Sequence, residues 1–136
     1  MPSWIDGLKS RLRPAAPPNG PEIYRDLRSL ALGLDPASID VPDGESWTGA
    51  AVAAMELNIA GAITTIVAVA DGSTSMYLSS GGGVIGAGEH AAVRAVAERF
   101  RTVATDLLGL FVRTSELPTP DVGEVRFQVR TSPPAR

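Results

Sequence analysis

The residues with types and spacing that could do chemistry cluster between Asp71 and His90. Gly81, Gly82, Gly83, Gly86 and Gly88 stand close together, and Gly81 to Gly86 spell G-x-G-x-x-G between a strand-like stretch and a helical one. In that setting backbone amides and a helix N-terminus can hold a pyrophosphate. A dinucleotide fold also needs the helix to begin inside the glycines, and an acidic residue on a second parallel strand about 20 residues further on. Here Ala87 to His90 intervene, and Arg99 to Phe111 continue helical. What survives is a looser anion site, with Gly81, Gly82, Gly83, Gly86, Gly88 and His90 as its candidate binding residues. Glu89 would oppose an anion there. The plainer reading is that the glycines bend the chain from sheet into helix and let backbones approach closely.

Other constellations are weaker. Ser79 or Ser80 with His90 and Asp71 or Asp106 has the composition of a nucleophile triad, but no G-x-S-x-G elbow presents the serine. Serines beside a hairpin are ordinary turn residues. Glu56, Glu89 and Glu98 have no spacing that pairs carboxylates for acid and base work, and a solvated helix face accounts for them. The chain has no cysteine and one histidine, which removes thiol chemistry, disulfides and the common zinc sets. No catalytic residue, metal or cofactor is expected.

These residues must be positioned by a chain of 136 residues, enough for one domain with its own core. Aromatics make up 5% of the residues, so the core is expected to be built from small side chains. A net charge of −3 gives no long-range attraction to nucleic acid. No apolar run reaches membrane-spanning length, and MPSWIDGLKSRLR lacks the apolar region of a secretory signal. A cytoplasmic protein is the simplest expectation.

Along the chain, Trp4, Ile5, Leu8 and Leu12 share one helical face, followed by prolines at 14, 17, 18 and 21. Residues 1–21 therefore read as an arm and linker, a frayed terminus or an arm that docks on a partner or a membrane surface. A helix is expected over 22–34, with early Glu22 and with Ile23, Leu27, Leu30 and Leu34 on one face. The alanine-rich stretch after Ser46, through Trp47, Ala50, Ala51, Ala54 and Met55, reads as a second helix over 46–59.

AITTIVAVA is β-branched and apolar on both alternating faces, so it wants cover on both. Asp71-Gly72 supplies a tight turn into the returning strand STSMYLSS. Val93, Val96, Phe100, Val103, Leu107 and Leu110 recur at helical spacing, which predicts a long amphipathic helix over 89–111. EVRFQVR alternates as a strand over 124–130, and SPPAR is expected to be a disordered tail over 132–136.

From MELNIAGAITTIVAVADGSTSMYLSSGGG through EHAAVRAVAERFRTVATDLL, the chain resembles the roadblock/dynein light chain family of small regulatory domains. The best match is Gly61 to Ser80, centred on Ala70-Asp71-Gly72. The resemblance implies a non-enzymatic and usually dimeric scaffold that regulates small GTPases or bacterial motility and polarity machinery. In that family further strands, and often a closing helix, follow the long helix; here only the strand over 124–130 does. The same segment is also similar to a bacterial family of unknown function with a helix–hairpin–helix pattern, which brings no activity with it.

The expectation is an α+β domain over 22–131, with an antiparallel sheet of about three strands flanked by helices in a roadblock/profilin-like order. An apolar sheet face on so small a sheet predicts burial by a protein partner, most simply as a homo-oligomer. Ala50, Ala51, Ala54 and Met55, or the sheet edge, are the candidate contact. The alternative function is a small-ligand or phosphate-binding domain that uses the glycine turn.

Overall fold

The computed structural model describes residues 4–5, 20–40 and 49–131. The rest of the expected N-terminal arm, its proline linker, the Ser46 cap with Trp47, and the 132–136 tail lie outside the described residues. Helix α1 (Gly20–Leu32) leads to β1 (Ala50–Ile59), β2 (Ala62–Val69), β3 (Thr74–Leu78) and β4 (Gly83–Ile85). Helix α2 (Ala91–Asp106) and β5 (Val125–Thr131) follow. The strands form one five-stranded antiparallel sheet in the order β4-β3-β2-β1-β5.

The expected helix over 46–59 is not formed. Residues 50–59 are instead the longest strand, hydrogen-bonded on both edges, to β2 and to β5. Alanine favours helix locally, but a strand paired on both edges satisfies its backbone groups as fully as a helix does and here also buries its alanines on both faces. Pairing on both edges outweighs a propensity difference of a few tenths of a kcal/mol per residue. The sheet has five strands rather than about three, because this segment and the short β4 both join it. The hairpin around Asp71-Gly72 forms as expected, with Gly72 at φ 90°. The long helix is shorter than expected, ending at Asp106 before a separate 3-10 turn at Leu108–Leu110.

Side chains alternate between the two faces of the sheet. On the first face α1 packs Tyr24, Leu27 and Ala31 against Val52, Ala54, Val67 and Val69 of β1 and β2. Ile5 completes this core at 1% exposure, and the Trp4 indole N–H donates to Asp71 Oδ2 at 3.1 Å. This part of the arm thus docks on its own domain.

On the second face α2 crosses the row Thr74, Ala68, Ala53 and Val129, which are cross-strand partners. Ala53 and Ala68 are small enough for the helix to come close, and Ala97 and Ala104 face them from α2. The end of the helix is tied down by the backbone of Ala50, beside a bulge in the β1–β5 pairing. The Ala50 N–H donates to Thr105 Oγ1, and the Ala50 carbonyl accepts from Arg101, both at 3.0 Å.

Gly88 marks the tightest approach near α2. A Cβ there would run into the carbonyl oxygen of Gly72, in the β2–β3 turn. Gly88→Ala is expected to cost about 1–3 kcal/mol through overpacking. Gly82→Ala, whose Cβ would meet only the Leu78 side chain at ordinary contact distance, should cost much less. Denaturant unfolding of the two variants checks the contrast.

Candidate functional site

The glycine-rich segment is occupied with packing. Gly81 lies against Gly20 at the start of α1, Gly83 against the Met76 carbonyl on the neighbouring strand, and Gly88 against Gly72. Gly82 is in the turn between β3 and β4, and Gly86 sits at φ 81° just before a 3-10 turn at Ala87–Glu89. His90 is exposed at the head of α2, and its side chain makes no capping hydrogen bond.

Of the triad candidates, the Ser79 hydroxyl is committed to backbone and the Asp71 carboxylate to backbone and to Trp4. Ser79 Oγ accepts from the Ile63 N–H at 2.9 Å, and Asp71 Oδ1 accepts from the Ser73 N–H at 2.8 Å. Ser79 lies against Ile63 at the start of β2 and Asp71 in the turn after β2, at opposite ends of the hairpin, so the structure does not bring these candidates together. Among the described residues no group of three or more His, Cys, Asp or Glu could hold a metal ion.

Glu56 is not on a solvated helix face but in the middle of β1, with no exposure at all. Arg28 of α1 grips it with two parallel hydrogen bonds, Nε to Oε2 at 2.6 Å and Nη2 to Oε1 at 2.8 Å. Thr65 donates to Oε2 at 2.7 Å and Gln128 to Oε1 at 2.8 Å, while Tyr24 pairs with the Thr65 hydroxyl at 2.8 Å. Arg28 also donates to the Leu117 carbonyl. Burial by itself would raise the Glu56 carboxyl, but the hydrogen bonds from Arg28, Thr65 and Gln128 and the Arg28 charge hold it below the ordinary carboxylate range.

A carboxylate with four donors and no open side is a structural anchor, not an acid or base poised for substrate. Sequence reading missed it because its partners come from residues 24–28, 65 and 128. The one available signal was a glutamate within an otherwise apolar stretch.

Beside this anchor, Tyr77 and Ser75 carry buried hydroxyls with no hydrogen-bond partner among the described residues. Burial pushes the Tyr77 phenol up to about 12.

The second sheet face is different in kind. Beyond the row under α2, Val84, Met76, Ile66, Met55 and Phe127 are aligned partners across all five strands. The next row is Leu78, Thr64, Leu57 and Val125. Nothing among the described residues covers either row fully: Val84, Val125 and Phe127 are about half exposed, and the strand-centre members are partly so.

Between these rows and the flank of α2 runs a cleft of about 570 Å³, within the size range of ligand pockets. Met55, Ile66 and Thr74 form its floor, and Val93, Val96 and Phe100 form its wall. Phe100 tilts onto Phe127, with ring centroids 6.3 Å apart.

Of the residues expected at an interface, Ala50, Ala51 and Ala54 are wholly buried inside the chain. Met55 alone reaches the open face. Comparison with known proteins finds no matching family model, no matching curated protein and no matching solved structure.

Removing Arg28 strands a buried charge, so Arg28→Ala is expected to cost about 3–5 kcal/mol. Because folding depresses the Glu56 pKa, its contribution is complete above the unfolded-state carboxylate pKa and is lost as pH falls through that range toward the folded value. Unfolding free energies measured from neutral to acid pH should fall less steeply in Glu56→Gln than in the wild type.

Proposed function

We propose that this chain is a non-enzymatic interaction module that works as a homodimer. The observation that supports the reading is the open apolar face, two sheet rows and a helix flank with no charged side chain among them. Exposed apolar patches on monomers are usually limited to a few hundred Å², and contiguous ones beyond that mark sites of association. A non-enzymatic role fits side chains that are engaged in packing and backbone hydrogen bonds at the positions where chemistry was sought. Regulation of a small GTPase, or of motility or polarity machinery, is the setting implied by the roadblock-like resemblance, and it enters this reading on that ground alone.

The absence of a long apolar helix is a property of the described residues only: none is long and apolar enough to cross a membrane. No feature of the fold calls for nucleic acid. The reading expects the protein to sediment as a dimer across a dilution series reaching low micromolar concentration, and a stable monomer throughout would overturn it.

The anion-binding alternative makes a separate demand. Calorimetry should show saturable heat with inorganic phosphate or a nucleotide, abolished by Gly86→Val; our reading expects no heat from either ligand.

A further inference from the structure

We propose, beyond the homodimer reading and independently of it, that the cleft between α2 and the sheet binds an uncharged, apolar small molecule carrying one hydroxyl or carbonyl group. The cleft crosses three strands, from Thr74 at the start of β3 over Ile66 on β2 to Met55 on β1. Two inter-strand spacings, roughly 10 Å, set the length of its occupant. At the β1 end Phe100 leans on Phe127 of β5, and the ring pair stands between the cleft and the sheet edge.

The recess exists because alanines stand where larger side chains would fill it, Ala68 on the floor and Ala92 and Ala97 on the helix. None of the side chains that line it is charged, and all but Thr74 are apolar. Water held against such a surface finds few hydrogen-bond partners, so an apolar ligand that displaces it gains affinity. A phosphate, a sugar or a charged peptide side chain would lose its hydration there without replacement.

Thr74 supplies the polar requirement. It is more than nine-tenths buried, yet its hydroxyl has no hydrogen-bond partner among the described residues. Its strand partner Ala68 also lines the cleft, which puts both side chains on the face that α2 crosses. Methyl and hydroxyl share one carbon of the threonine, so a single χ1 step exchanges which of them meets the ligand. A buried hydroxyl without a partner costs free energy that a ligand hydroxyl or carbonyl recovers. Ser75 and Tyr77, whose buried hydroxyls also lack partners, lie on the opposite face with their strand partners Val67 and Thr65.

The test uses 2-naphthol and 2-methylnaphthalene, rigid bicyclic probes of nearly equal shape in which a hydroxyl replaces a methyl. Fluorescence titration of the wild type should show both binding saturably, one probe per chain. Thr74→Val, which keeps the shape and removes the hydroxyl, should weaken 2-naphthol about 5-fold, the worth of one hydrogen bond, and leave 2-methylnaphthalene within about 2-fold. Denaturant unfolding should find this variant at least as stable as the wild type, because it deletes an unpartnered polar group. Ala92→Phe and Val96→Trp, at exposed positions on the cleft wall, should each weaken both probes at least about 10-fold by filling the space.

Failure of both probes to saturate below their solubility limits overturns the proposal, as does wild-type affinity in both wall variants. An equal response of the two probes to Thr74→Val removes the hydroxyl requirement and overturns the ligand class. Sedimentation is read separately. A dimer that binds neither probe leaves the homodimer reading standing without this proposal, and a monomer that binds both overturns that reading and keeps this one.

Discussion

A carboxylate removed from water sets the terms for half of this fold. Glu56 sits near the centre of β1, the longest strand, without solvent contact, and an unpaired charge there would cost several kcal/mol. Its four hydrogen bonds come from α1, β2 and β5, and Arg28 reaches on to the loop carbonyl of Leu117. Satisfying one group therefore fixes the rotation of α1, the register of β5 and the path of the chain before β5. The first face of the sheet is closed because this network cannot be left half made.

The other face obeys a different constraint. β1 is paired on both edges, and at its first half its alanines let α2 approach the backbone closely enough for Arg101 and Thr105 to reach Ala50. A helix drawn so tightly to one end of the sheet shields only that row. The remaining rows stay open and apolar, with side chains larger than those under the helix. Closeness at one end and exposure at the other are thus two results of one packing choice, and the second leaves an open apolar face among the described residues.

The glycine segment shows how a chemical fingerprint and a packing solution can share letters. At 81, 83 and 88 a side chain would collide with backbone from α1, β3 or the β2–β3 turn. Ser79 and Asp71, which with His90 had the composition of a triad, are used to close the β2–β3 ladder and its turn. The candidate residues were legible as a cluster because they are contiguous in sequence. Their partners were not legible, since Gly20 and Trp4 approach from more than fifty residues away.

The sequence by itself determined the elements whose signals are local. Asp71-Gly72 forms its turn through its own backbone preferences, the period of Val93 to Val103 makes a helix, and the alternation of Val125, Phe127 and Val129 makes a strand. Tertiary structure alone decided the state of residues 50–59, where alanine's helical preference yields to strand partners on both edges. It also decided that Glu56 would be an anchor and Met55 its outward neighbour on the open face. Both outcomes rest on contacts between segments far apart in the chain, whose energies exceed the local preferences that a sequence displays.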